Sequence, residues 1–287
     1  MNRHHPTHAV PTLAAASPGP GPGTGTAGPN PDILAFSRRV GLDPDPAQSA
    51  VLLSGANRGI LNCSRQWGKS TLAAVLSVHR CLTRPDSLVL FASPSRRQSA
   101  ELLLKARALL NRLGLRLRGD GVNPDSLVFP NNSRIVALPC NEATTRGFSA
   151  VSMLIVDEAA RVPDEHYKAL RPALAVGRGD VWLMSTPWGR RGFFYHSWAF
   201  GGSDWFRVES PATQNPRISP AFLEEERRNL GTWFEQEYLC HFMDRTDSIF
   251  ASELVEAALD SDEDTFDFRP LQPKHAKPTQ GVRPCTT

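Results

Sequence analysis

What this chain lacks first is a surplus of charge: 32 basic against 29 acidic residues leave a formal net charge of +3 over 287 residues. No overall cationic field announces a nucleic-acid partner, so any such contact has to come from a local basic face. Paired or clustered thiols are missing too. The five cysteines, Cys63, Cys81, Cys140, Cys240 and Cys285, are odd in number and widely spaced, with neither C-x-x-C nor a Cys/His cluster of zinc-site spacing. Reduced thiols in a cytoplasmic protein are the expectation. Nowhere does an apolar run reach membrane-spanning length, and no apolar stretch follows Arg3, His4 and His5, so neither membrane insertion nor secretion is expected. There is no internal repeat. The remaining composition, 40% apolar and 21% charged, is that of a soluble protein with one domain of roughly 200 to 250 residues plus tails.

The tails are legible by composition. Residues 1–31 are rich in Pro, Gly, Thr and Ala, including the run Pro18–Gly23, and hold scarcely any large apolar side chain, so they are expected to be disordered. The histidines His4, His5 and His8 are read as solvated. Residues 260–287 combine an acidic cluster, Asp260, Asp262, Glu263, Asp264 and Asp267, with a Pro-rich end, and are expected to be unstructured as well. Residues 32–259 are left as the folded domain.

Within that domain, short apolar runs alternate with helical periodicity. Gly59–Leu61 precedes a helix over Thr71–Arg84, Ser87–Ala92 reads as a buried strand, and Ala100–Leu113 as a strongly periodic helix. Ser126–Pro130 and Ser133–Leu138, joined by Asn131-Asn132, read as a hairpin. Val151–Val156 and Val181–Met184 are two more buried strands around a helix over Asp164–Ala175, and helices are expected at Pro220–Asn229, Trp233–Phe242 and Ser252–Leu259. The alternation indicates an α/β fold with a central, mostly parallel sheet flanked by helices. Arg96, Arg97 and Gln98 fall at the carboxyl end of a strand, where they either touch nucleic acid or phosphate or are solvated helix-start charges.

Two motifs carry chemistry. The first is Cys63-Ser64-Arg65-Gln66-Trp67-Gly68-Lys69-Ser70-Thr71, a turn between a strand and a helix. Backbone N–H groups and the positive end of the helix dipole would cradle a polyphosphate there, Lys69 would reach its β- and γ-phosphates, and the Ser70 hydroxyl would ligate Mg²⁺. The usual opening Gly is replaced by Cys63, which resists positive φ. The second is the strand Val151–Val156 ending in Asp157-Glu158. Phosphate-bound Mg²⁺ needs a carboxylate beside the loop, which Asp157 supplies, and attack on the γ-phosphate needs a positioned water, for which Glu158 is the natural base. Gln48, just ahead of the loop strand, is either a surface residue of a capping helix opened by Pro46 or an amide that meets an adenine edge.

The run Ser64–Thr71 resembles the deviant Walker A motif of the large terminase subunits of tailed bacteriophages, which commonly lacks the first Gly and carries an Arg inside the loop. Asp45-Pro46-Ala47-Gln48 is similar to that family's adenine-contacting Gln motif, Leu154–Ala159 to its Walker B and Ser185-Thr186-Pro187 to its coupling motif; the likeness covers roughly residues 40–260. The resemblance implies an ASCE-type P-loop ATPase using ATP and Mg²⁺. Its nucleotide would be held by Gln48 and by Ser64, Arg65, Gln66, Trp67, Gly68, Lys69, Ser70 and Thr71, and its metal by Ser70 and Asp157. Glu158, Arg65, Lys69 and Arg146 are the implied catalytic residues, with Arg65 at the γ-phosphate and Arg146 as an arginine inserted into a neighbouring subunit. Ser185 and Thr186 would report hydrolysis to the parts that grip DNA. Also implied are double-stranded DNA, a small terminase subunit and a portal or procapsid as partners, a homo-oligomeric ring, and the bacterial cytoplasm as location.

Full-length large terminases continue into an RNase H-like nuclease domain, and the acidic cluster at Asp260–Asp267 has no strand periodicity to fix a two-metal site. The expectation is a motor domain without the nuclease, either truncated or with the nuclease encoded separately. Rival readings are another P-loop DNA translocase of the helicase-like group, and a prophage remnant that binds nucleotide without packaging DNA.

Overall fold

The computed structural model describes residues 32–119, 121, 125–140 and 147–243. The expected tails and the helix over Ser252–Leu259 lie outside them. Seven strands form one sheet: β1 (Arg58–Cys63), β2 (Leu88–Ser93), β3 (Ser126–Val128), β4 (Arg134–Pro139), β5 (Met153–Asp157), β6 (Asp180–Ser185) and β7 (Phe206–Ser210). Their order is β3-β4-β2-β5-β6-β1-β7, with every pairing parallel except β3 with β4. The helices of the described residues are α1 (Ile33–Arg39), α2 (Pro46–Leu53), α3 (Lys69–Thr83), α4 (Arg96–Arg112), α5 (Asp164–Leu170), α6 (Gly192–Phe200), α7 (Pro220–Leu230) and α8 (Thr232–Glu237).

Parallel strands need both faces covered, and the side-chain alternation shows how. Leu61, Val89, Phe91, Met153, Ile155, Trp182 and Met184 point into a core shared with α1 to α4. Ile60, Leu90, Leu154, Val156 and Leu183 point the other way, against α5, α6 and the segments around them. The continuous apolar runs that mark these strands in the sequence are the consequence of this double burial. β6 lies between β1 and β5, and its Trp182 packs so close to β1 that a Cβ on Gly59 would collide with the indole ring.

Most boundaries agree with the sequence pattern, and the departures have local causes. α4 starts four residues ahead of the periodic stretch because Ser95 caps it, accepting from the Gln98 N–H. Arg96 and Arg97 thus belong to its first turn, and Arg96 pairs with Asp125 at 2.6 Å. The helix expected over Asp164–Ala175 is α-helical only to Leu170 and continues as a 3₁₀ turn over Arg171–Leu174, where Pro172 removes a donor. The helix expected over Trp233–Phe242 stops at Glu237, and the chain reverses at Cys240, whose φ is 64°.

Candidate functional site

The loop between β1 and α3 runs along the carboxyl edge of the sheet. Positive φ falls at Gln66 (61°) and Gly68 (103°), not at Cys63, which is the last residue of β1. A residue in extended conformation has no need to be Gly, so the missing first glycine leaves the turn intact. The Cys63 thiol is buried, and desolvation pushes its pKa well up, so it is a neutral packing group. Gly68 is the loop position that favours glycine: its φ of 103° strains any side chain, and a Cβ there would press on the Gln48 amide nitrogen at 3.1 Å.

Gly68 opens the 15-residue α3 without any side-chain cap, so the first-turn N–H groups are left to a ligand or to solvent. Lys69 is buried at the start of this helix, and its Nζ turns back over the loop to donate to the carbonyls of Cys63 at 2.6 Å and Ser64 at 2.8 Å. The loop apex is tied from outside. Gln48 Nε2 donates to Trp67 O at 2.9 Å, Asn215 Nδ2 to Gln66 O, and Arg217 Nη2 to both carbonyls. Trp67 itself plugs into the core with Leu52 and Leu72.

Gln48 is therefore directed at the loop: its Oε1 accepts from Asp45 N, closing a capping box on α2, while its Nε2 holds Trp67 O. Both ends of the amide are engaged within the chain.

Across the loop, β5 delivers Asp157 and Glu158. Asp157 is buried, and its pKa is pushed up to about 6, first by desolvation, then by the neighbouring Glu158 charge, with Lys69 opposing. Its protein partners are the Glu158 N–H at 3.0 Å and the Ser70 hydroxyl at 3.5 Å. A buried carboxylate so thinly partnered, beside a hydroxyl and a helix N-terminus, fits a hard cation that takes its remaining oxygens from phosphate and water, as Mg²⁺ does. Glu158 sits in the left-handed region at φ 51°, a strained placement for a non-glycine residue that turns its carboxylate off the strand direction. Its Oε2 receives Arg161 Nη1 at 2.7 Å.

At the end of β6, the Ser185 hydroxyl is buried without a partner among the described residues, as is that of Ser64. Thr186 Oγ1 accepts from Arg161 Nη1 at 3.1 Å. Arg65, largely exposed, donates its Nε to Glu237 Oε2 at 2.7 Å, and this bond raises its pKa. Thr71 lies in the first turn of α3. Arg146 is outside the described residues.

The family model described as terminase large subunit, T4likevirus-type, N-terminal, matches residues 60–257, about two thirds of the chain. The chain belongs to this large terminase family. Among solved structures, the large terminase ATPase domain of Thermus phage P74-26 is similar over 73% of this chain and 98% of its own length, at 21% identity and a TM-score of 0.65. The large terminase of another thermophilic bacteriophage, solved with ADP, is similar over 75% of this chain and 53% of its own length, at 14% identity and a TM-score of 0.58. That of bacteriophage HK97 is similar over 80% and 52%, at 18% identity and a TM-score of 0.57. At these identities the likeness establishes the P-loop fold of a large terminase ATPase domain. Among the described residues no helix is long and apolar enough to cross a membrane.

For a large terminase fold, the structure brings Gln48, Ser64, Lys69, Ser70, Asp157, Glu158, Ser185 and Thr186 to one edge of the sheet. It adds residues that the sequence reading passed over: Arg161, Trp188, Asn215, Arg217, Gln236 and Glu237. Arg161 had a signal, its i+3 spacing from Glu158. Trp188 directly follows the motif Ser185-Thr186-Pro187, whereas Asn215, Arg217, Gln236 and Glu237 are contributed by distant segments and carry no local pattern. A cavity lined by Leu52, His79, Arg80, Asp180 and Trp182 lies at the opposite edge, where Arg80 pairs with Asp180, away from these groups.

Proposed function

We propose that the chain is a Mg²⁺-dependent ATPase that drives double-stranded DNA into a viral capsid. The observation that carries this reading is the pairing of an uncapped α3 N-terminus, bearing Lys69 and Ser70, with the carboxylates of Asp157 and Glu158 at the end of β5. The second thermophilic phage's large terminase has been solved with ADP and with ATP-γ-S, which supports nucleotide binding by this chain.

In this reading the first-turn N–H groups of α3 hold the phosphates, and Lys69 exchanges its two backbone carbonyls for phosphate oxygens. Mg²⁺, held by Ser70 and Asp157, would neutralise charge on the transferred group. Glu158 orients and deprotonates the attacking water, and Arg65 stabilises charge that develops on the phosphoryl oxygens. Thr186, bonded to the same arginine as Glu158, would sense the state of that carboxylate. Partners of the same reading are duplex DNA gripped through its backbone, a small terminase subunit, a portal and further copies of the chain in a ring, with Arg146 reaching a neighbour's site.

The test is ATP turnover with and without duplex DNA. DNA-stimulated hydrolysis that falls by at least about 10²-fold in Lys69→Ala and in Glu158→Gln is expected. Turnover unaffected by either change would overturn the reading. Arg65→Ala is expected to lower kcat far more than it weakens nucleotide affinity.

A further inference from the structure

Glu237, the last residue of α8, receives a guanidinium on each of its oxygens: Arg65 Nε on Oε2 at 2.7 Å and Arg161 Nη2 on Oε1 at 2.9 Å. Its side chain is 11% exposed, against 60% for Arg65 and 23% for Arg161. Arg161 continues the line through Nη1 to Glu158 at 2.7 Å and Thr186 at 3.1 Å, with its guanidinium over the Trp188 ring at 4.7 Å. Arg65, Glu237, Arg161 and Glu158 thus form one charge-balanced chain from the phosphate loop to the residue after β5.

Two features distinguish this from a simple strut. Glu237 takes only Nε of Arg65, whose terminal nitrogens make no hydrogen bond among the described residues. The stem is anchored and the donor fork is left available. Secondly, α8 is fixed on the site from several sides. Gln236 Oε1 accepts from Gly189 N, beside the coupling segment, the Tyr238 carbonyl accepts from Ala212 N, and the Cys240 carbonyl accepts from Asn62 Nδ2 of β1.

We propose that Glu237 is a positioning residue for ATP hydrolysis, aligning Arg65 over the phosphate loop and, through Arg161, the carboxylate of Glu158. Without it Arg65 loses the carboxylate hydrogen-bonded to its Nε, and Arg161 turns its freed arm toward Glu158. The N–H cradle and Lys69 are untouched, so chemistry suffers and nucleotide binding does not. This inference rests on the ATPase reading above.

The experiment measures kcat for ATP, affinity for a fluorescent nucleotide and thermal midpoint in the full chain, for wild type, Lys69→Ala, Glu237→Gln, Glu237→Asp, Arg161→Gln and the Glu237→Gln/Arg161→Gln double variant. Glu237→Gln is expected to lower kcat by about 10- to 100-fold, the scale of a small misalignment of reacting groups, with affinity within about twofold of wild type. Glu237→Asp, whose shorter stem reaches both arginines less well, should lose less, and the double variant little more than the worse single one, because both changes cut the same chain. Wild-type kcat in Glu237→Gln, affinity falling in step with kcat, or additive losses would each overturn the inference. If Glu237→Gln does not stay folded, Glu237→Asp decides: reduced kcat at unchanged affinity supports the inference, and wild-type kcat overturns it. No turnover in wild type sinks the ATPase reading and the inference with it, whereas turnover lost in Lys69→Ala but kept in Glu237→Gln sinks the inference alone.

Discussion

Asp157 is held in a place that suits a cation better than it suits an empty carboxylate. Its pKa is about 6 in the folded protein against an ordinary value of 3.8. Folding therefore takes up a proton between these values. The metal-free protein is penalised above pH 6, and the penalty fades as pH falls toward 4, on the order of 2 to 3 kcal/mol in full. Calorimetry without Mg²⁺ should find Asp157→Asn more thermostable than wild type at pH 8 and nearly equal to it at pH 4, with ATP turnover lost. The sequence shows that Asp157 and Glu158 end a strand and that Lys69 and Ser70 begin a helix, because strand and helix periodicities place those residues without tertiary knowledge. It does not show that Glu158 adopts φ 51°, which depends on packing after the strand end. Nor does it show that Cys63 is harmless, since that follows from β1 extending through it.

Among the elements, α2 has more to do than cover the core. Its capping residue and its third residue, Asp45 and Gln48, form a reciprocal box, and Gln48 also holds the carbonyl of Trp67. Replacing Gln48 by Ala removes both bonds and should cost about 1 to 3 kcal/mol in urea unfolding, with weaker nucleotide affinity as the loop loosens. Asp45→Ala, which breaks the box alone, should cost about 1 kcal/mol and leave affinity near wild type. The pattern Asp45-Pro46-x-Gln48 announces a helix start, but the bond across 19 residues to Trp67 has no trace in it. α8 shows the reverse case. Its periodicity suggests a longer helix through Phe242, and the turn at Cys240 that ends it early is what brings the Cys240 carbonyl to Asn62 and Glu237 to the arginines. Tertiary hydrogen bonds there override local preference.

For the molecule as a whole, the sheet order sets both stability and the site. β5 and β6 are buried on both faces and paired on both edges, whereas β3 is three residues long at the margin. Amide exchange should be slowest in β5 and β6 and fastest in β3, and equal rates would contradict this arrangement. Gly59→Ala, which drives a methyl into the Trp182 ring between β1 and β6, should lower stability by about 1 to 3 kcal/mol. The fold class is readable because each buried parallel strand leaves an unbroken apolar run. The insertion of β6 between β1 and β5 is not, since neighbour choice among parallel strands is settled by crossover packing. One bond across this architecture also sets an order in time. Arg65 and Glu237 stand 172 residues apart in the chain, so during synthesis the phosphate loop emerges roughly ten to thirty seconds before the carboxylate that anchors its arginine. A chain cut before Glu237 would keep the loop residues and lack the carboxylate that holds their arginine.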